Sequence, residues 1–291
     1  MLQDCMEGGR ELTYGVKQGS PKQPLITIIT STFNAAKDLH WTIESIRAQS
    51  YPNIQWIIAD GASKDGTVEI LKQNEDVIDY WFSEPDSGIY DAWNKALPYI
   101  KGEWVQFLGA GDELYSKDTL SYVASVMSLV SVREHRIIYG KICLISEVTR
   151  EVICERGIPW HEMKNKWQGM RPMLPMHPEV YHHCSLFKEI GKFDTSYKIA
   201  ADSDFLLKCK RITEFFYIDY CIDRMLDGGV SSNPKMANQQ IYELVKLSRN
   251  NDYKIPLLLF FREVIKYKIK EILYRLSPVL FLKLKKIYGR N

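Results

Sequence analysis

Acidic side chains set at the ends of apolar runs are where this sequence could do chemistry. Asp60 closes the run IQWIIAD and opens Asp60-Gly61-Ala62-Ser63-Lys64-Asp65-Gly66-Thr67. Asp86, Gly88 and Asp91 fall within SEPDSGIYDAWNKAL, Asp112 follows Gly109-Ala110-Gly111, and Asp202 and Asp204 begin an apolar segment. Thr32 and Asn34 stand in the polar stretch after LITIIT. Carboxylates ligate hard divalent cations, and one or two protein oxygens suffice when phosphates and water supply the rest. A carboxylate can also take a proton from a hydroxyl, help worth about 10²–10⁴-fold when well placed. Each position has a structural alternative: Asp-Gly makes a tight turn, and aspartate is a favoured helix N-cap.

The elements around these residues alternate. LITIIT (25–30), IQWIIAD (54–60), VIDYWFSE and EWVQF read as strands, with helical spacing between them at Leu39, Ile43 and Ile46, in TVEILKQN and in GIYDAWNKALPYI. Strands apolar on both faces, alternating with helices, predict an α/β fold with a mostly parallel sheet and right-handed crossovers. Ligands in such sheets bind beyond the carboxyl ends of the strands. That rule selects the loops at 32–34, 60–63, 83–88 and 109–112. VASVMSLV reads as a helix, IIYGKICLIS as part of a strand pair, and IAADSDFLLKCK (199–210) as a helix whose start carries Asp202 and Asp204. A carboxylate there is held ionised by the helix dipole. Residues 159–178, rich in Trp, Met and Pro, predict a long loop over the site.

Composition excludes several classes. A length of 291 residues with 45% hydrophobic and 25% charged residues fits one large globular domain with additions. The six cysteines are scattered with no CxxC pair, which fits reduced thiols in a cytoplasm. The loop after LITIIT has no glycine, and no G-K-[ST] run occurs, so a Gly-rich phosphate cradle is not expected. Net charge is +2, but ten Lys/Arg and two Glu from Lys254 onward leave +8 there and −6 before it.

Taken together, LITIITSTFN, IIADGASKDGT, SEPDSGIYDAWNKAL, GEWVQFLGAGDEL, MHPEVYHHCSLFKEIGKFDTSYKIAADSDFLLK and GGVSS resemble the family 2 glycosyltransferases of GT-A (Rossmann-like) fold. The bacterial members that build capsule, O-antigen and exopolysaccharide are the most similar in pattern. The resemblance spans about residues 24–232. It implies transfer of a sugar, with inversion, from a nucleotide diphosphate-sugar (a UDP-sugar first) to a hydroxyl of a glycan or lipid-linked acceptor in surface polysaccharide synthesis. It implies Mg²⁺ or Mn²⁺ on Asp112 and a catalytic base at Asp202, with Asp204 as the rival. It also implies a donor pocket of Thr32, Asn34, Asp60, Asp86, Gly88 and Asp91, with Asp60 on the nucleotide base. Two positions depart from the family: Gly109 and Gly111 replace acids usual beside Asp112, with Glu113 a candidate to compensate, and Ala201 replaces an acid before Asp202. His177 matches a family histidine near the acceptor; Trp93, His182, His183 and Cys184 read as ordinary. The alternatives are a nucleotidyltransferase, whose basic Gly-rich loop is missing, and a degenerate nucleotide- or glycan-binding scaffold.

Residues 1–23 read as a flexible leader without a secretory signal, 24–232 as the catalytic domain, and 233–291 as a helical, basic extension. Its apolar runs, cut by Lys and Arg, are too short for a spanning helix of about 20 residues and suit C-terminal amphipathic helices at an interface. The expected partner there is an anionic membrane, not nucleic acid, with the protein cytoplasmic and peripheral on the inner face of the membrane. A helical pair packed on the domain or dimerised is the competing expectation.

Overall fold

The structure, a computed structural model, describes residues 6–131, 133–229 and 233–277. In chain order the elements are β1 (Met6–Gly8), α1 (Glu11–Tyr14), β2 (Ile26–Thr32), α2 (Leu39–Arg47), β3 (Ile54–Asp60), α3 (Thr67–Gln73), β4 (Tyr80–Ser83) and α4 (Ile89–Ala96). Next come β5 (Trp104–Phe107), β6 (Glu113–Leu114), α5 (Thr119–Met127), β7 (His135–Ile145), β8 (Val152–Arg156) and α6 (Trp160–Met163). They are followed by β9 (Trp167–Gln168), β10 (Arg171–Pro172), β11 (Val180–His183), α7 (Ser185–Glu189), α8 (Ala201–Cys209), β12 (Glu214–Leu226), α9 (Ala237–Asn250) and α10 (Leu257–Leu276).

The main sheet runs β1-β4-β3-β2-β5-β11-β7-β12-β6, with β8 beside β7. The four strands β4-β3-β2-β5 are parallel and hold the centre. β11 enters antiparallel between β5 and β7, and β12 returns parallel to β7. Side chains alternate across the pleat, so neighbouring residues feed two cores. Ile29, Ile57 and Phe107 face a cluster with Trp93, Phe193 and Phe205, whereas Ile28, Trp56 and Ile58 face one with Leu39, Ile43 and Leu120. The helical spacing at Leu39, Ile43 and Ile46 does bury those residues.

Three regions differ from the sequence-based expectation. The leader is not free of the domain: Met6–Gly8 pair antiparallel with β4, and Lys17 forms an ion pair with buried Asp79. Short polar strands of this kind carry no periodicity, because the edge needs only backbone hydrogen bonds. The stretch 159–178 is built rather than loose, with α6, the β9–β10 hairpin and buried Trp160, Met163, Met170 and Leu174. Finally, contacts cross the boundary expected at residue 232, since α9 packs on the turn before α8. α10 spans the whole predicted segment 257–276. The second apolar run, VLFLKLKKIYG, lies outside the described residues, as do Val230, Ser231 and Ser232 of GGVSS.

Candidate active site

Register puts three polar residues in one row at the carboxyl ends of parallel strands. Thr32 pairs with Asp60, and Asp60 with Ser83. Asp60 is buried and saturated: Thr32 Oγ1 donates to it at 2.7 Å, Ser83 Oγ at 2.6 Å, Ser63 N–H at 2.9 Å and Ser63 Oγ at 2.5 Å. A carboxylate offers about four acceptor sites, so Asp60 anchors the loop at 60–63. Asn34, in the left-handed region at φ 51°, joins that loop to its own: Asn34 N–H donates to Ser63 Oγ, and Lys64 N–H to Asn34 Oδ1.

The loop before α4 is tied by its own acids. Asp86 Oδ1 accepts from Gly88 N–H at 2.8 Å and Asp91 Oδ2 from Ser87 N–H at 2.9 Å. Burial pushes the Asp86 carboxyl up, and a Cβ on Gly61 would lie 2.5 Å from its Oδ2, so the two loops touch. Gly88 has φ 128° and ψ 176°, a conformation open essentially to glycine alone.

Asp112 lies in the turn after β5. Its Oδ1 accepts from Leu226 N–H at the end of β12 at 2.9 Å, and Thr42 Oγ1 of α2 donates to its carbonyl at 2.8 Å. Burial raises the Asp112 carboxyl to about 6, opposed by the Leu226 N–H and the charge of Arg150. Both glycines beside Asp112 are closely approached. Gly111 sits at φ 94°, where a Cβ would meet Leu226 at 2.9 Å, and a Cβ on Gly109 would meet Asp112 Oδ2 at 2.5 Å. Glu113, the other acid of this turn, is engaged elsewhere. It is held between Arg150 and Arg224, the latter at 3.7 Å. Arg150 also donates to the Gly111 carbonyl and covers the Trp41 ring at 4.6 Å.

Asp202 stands at the start of α8, its Oδ1 accepting from Ser203 N–H at 2.6 Å and Tyr90 OH at 3.3 Å. Tyr90 donates mainly to Ile199 O at 2.6 Å, so α4 carries both the Asp91 loop and a prop for Asp202. Burial raises the Asp202 carboxyl, and the charge of Arg171, on β10, opposes the rise. Asp204 points elsewhere: it pairs with Lys208 at 2.7 Å and accepts from Asn251 Nδ2 at 2.7 Å. Glu243 of α9, fully buried, accepts backbone N–H bonds from Lys198, Ile199 and Ala200 at 2.7, 2.9 and 3.0 Å. His177 is stacked on Trp93 at 4.9 Å in the aromatic core, and burial lowers it to about 3. Both residues serve packing there.

The comparisons with known proteins now bear on this geometry. Residues 27–150 match the model of glycosyl transferase family 2. An uncharacterized glycosyltransferase of Mycobacterium tuberculosis is 31% identical over 212 residues, 72% of this chain and 78% of its own. This chain belongs to glycosyl transferase family 2. A PGL/p-HBAD biosynthesis glycosyltransferase of Mycobacterium bovis is 29% identical over 64% of this chain and 70% of its own. Among solved structures, S. aureus TarS with UDP-GlcNAc matches with TM-score 0.58 at 17% identity, covering 83% of this chain and 71% of TarS. A mannosyltransferase of Pyrobaculum calidifontis, in complex with GDP-Man and Mn²⁺, matches with TM-score 0.57 at 20% identity, covering 96% and 81%. The GT-A fold expected from the sequence is therefore present, and the glycosyltransferase is the reading its relatives carry; the nucleotidyltransferase alternative is not.

In this transferase Thr32 and Asp60 end adjacent parallel strands, Asp86 and Asp112 follow β4 and β5, and Asp202 stands at the start of α8. Gly61 abuts Asp86, Thr42 joins α2 to the Asp112 turn, and Tyr90 joins α4 to Asp202. Sequence reasoning missed Arg150, Glu243, Arg171 and Asp223. Asp223 is buried, accepts from Gln106 Nε2 at 2.9 Å, and is pushed well above the carboxylate range by burial and by the charge of Asp112. Its strand also carries Glu214, Asp219 and Arg224, so nothing local marked Asp223 out.

Proposed function

We propose that this transferase moves a sugar, with inversion, from a nucleotide diphosphate-sugar to a hydroxyl of a glycan or lipid-linked acceptor in bacterial surface polysaccharide synthesis. The observation that carries the proposal is the polar row of Thr32, Asp60 and Ser83 at the carboxyl ends of adjacent parallel strands, with Gly61 against Asp86 and Asp112 in the turn after β5, where such sheets take their ligands. Asn34, Asp86, Gly88 and Asp91 line the donor side, on loops that the buried Thr32–Asp60 pair anchors; with its acceptor sites filled, Asp60 shapes the expected base pocket instead of bonding the base. A UDP-sugar is the first donor to try, because TarS holds UDP-GlcNAc on the same fold.

Asp112 fits a divalent cation. It is a hard oxygen ligand, and a carboxyl raised to about 6 by burial is short of positive charge. Mg²⁺ or Mn²⁺ bound there would neutralise charge on the departing nucleoside diphosphate. With Glu113 committed to two arginines, Asp112 is the one acid of its turn left for this role. Asp202 takes the proton of the acceptor hydroxyl as that oxygen attacks the anomeric carbon. Tyr90 OH and Ser203 N–H orient its Oδ1; burial raises this carboxyl, which strengthens it as a proton acceptor, and the charge of Arg171 offsets part of that rise. Displacement in one step leaves no sugar on the enzyme, so a single base suffices. The basic segment from Lys254 onward favours attachment to an anionic inner leaflet.

The test is a screen of nucleotide-sugars for turnover with and without Mn²⁺, run on the native chain, Asp112→Asn and Asp202→Asn. Metal-dependent turnover lost in both variants is expected. Full transfer by both would overturn the assignment.

A further inference from the structure

α10 packs inside out. Its two acids, Glu263 and Glu271, are buried, 3% and 8% exposed, while its large apolar residues face solvent. Leu257, Phe261, Ile265, Ile269, Ile272 and Leu276 are between 51% and 77% exposed. At 3.6 residues per turn these six fall within an arc of about 120° along about 29 Å of helix. Arg262 and Lys266 flank one side of the arc, and Lys268 and Arg275 share its other edge with Leu257, their side chains 48% to 75% exposed. An apolar stripe bordered by cations is the pattern of a helix lying in a membrane interface. No helix among the described residues is long and apolar enough to cross a membrane.

Charge selects the occupant. A second copy of α10 laid on this face would set its cationic borders against the same borders, and the helix's own acids are turned inward. Four of these cations pair with Glu263 and Glu271, but five Lys/Arg against two Glu leave the helix net positive, and an anionic lipid surface balances that excess. The inward side of α10 matters as well. Glu263 carboxylate lies 3.4 Å from where a Cβ on Gly169 would stand, in the turn of the β9–β10 hairpin. Arg171 of that hairpin interacts electrostatically with Tyr267 of α10 on one side and with Asp202 on the other. One helix thus presents apolar residues outward and braces, from behind, the hairpin beside the base.

We propose that α10 is an interfacial helix seating the transferase on an anionic bilayer, and that the hydroxyl delivered to Asp202 is carried on a lipid. The second clause rests on the proposed function; the first does not. The test uses the full chain with vesicles of phosphatidylcholine alone or mixed equally with phosphatidylglycerol. Binding to the mixed vesicles is expected, weakened by roughly a hundredfold in Ile265→Glu/Ile269→Glu, since each buried isoleucine contributes about tenfold or more. Donor turnover in solution should be unchanged in that variant, which shows it is folded. In parallel, label from the nucleotide-sugar is followed into a bacterial membrane lipid extract.

Label recovered in the organic phase supports the lipid acceptor; label confined to aqueous glycan overturns it. Absence of vesicle binding, or binding undiminished in the variant, overturns the docking face. So does a native dimer, measured by light scattering, that the variant abolishes while vesicles are ignored. Vesicle binding without any nucleotide-sugar turnover would sink the proposed function and the acceptor clause, leaving the docking face standing.

Discussion

Asp112 is held in a state that favours its protonated form, and this has a sign that can be checked. Its folded pKa, about 6, lies above the ordinary 3.8, so the protonated carboxyl contributes stability that is fully present below pH 3.8 and lost as pH rises through 6. Asp112→Asn is therefore expected to be more stable than the native chain at pH 7.5 without metal, by about 1–3 kcal/mol, with the gap closing toward pH 4. Thermal melts across that range measure it; Mn²⁺ should raise the native melting temperature and leave the variant's unmoved. Asp202→Asn should instead cut kcat by about 10²–10⁴-fold with little change in the donor's KM. Asp204→Asn, by breaking the Lys208 pair and weakening the Asn251 contact, should act mainly on stability. The positions of Asp60, at the end of β3, and Asp202, in the first turn of α8, were legible from their motifs. Arg150 and Glu243 were not, because nothing local marks them: Arg150 reaches Gly111 and Glu113 across 39 and 37 positions, and Glu243 reaches Ala200 across 43.

At the scale of elements, α9 holds the turn that leads into α8. Three backbone N–H groups at 198–200 end on Glu243, and Asn251 at the end of α9 holds Asp204. Glu243→Ala leaves those donors buried without an acceptor, at a cost of roughly 3 kcal/mol. Urea unfolding should register that loss, and kcat should fall with it because Asp202 follows the same turn; native kcat in a folded variant would count against the linkage. The parallel centre of the sheet was legible from the runs at 25–30 and 54–60, whose β-branched residues are buried on both faces. The insertion of β11 between β5 and β7 was not. Val180–His183 is four residues long, and its place is set by pairing with strands about 40 and 75 positions away in the register.

For the whole molecule, the unequal division of charge sets how attachment to an anionic surface responds to salt. Raising ionic strength from about 0.1 to 1 M shortens the screening length from roughly 10 to 3 Å. Vesicle binding should weaken over that range without vanishing, because the apolar stripe of α10 is indifferent to salt; complete release, scored by sedimentation, would show that charge alone holds the protein. The other end of the chain has its own consequence. β4 carries Tyr80, Trp81 and Phe82 and would be the outermost strand were Met6–Gly8 not laid along it, with Glu7 receiving the Tyr80 hydroxyl. An open aromatic strand is a template for sheet-to-sheet growth between molecules. A chain beginning at Pro24 should keep its catalytic loops and yet self-associate, visible as concentration-dependent turbidity, so the first residues act as a selvedge that keeps the sheet from unravelling into its neighbours.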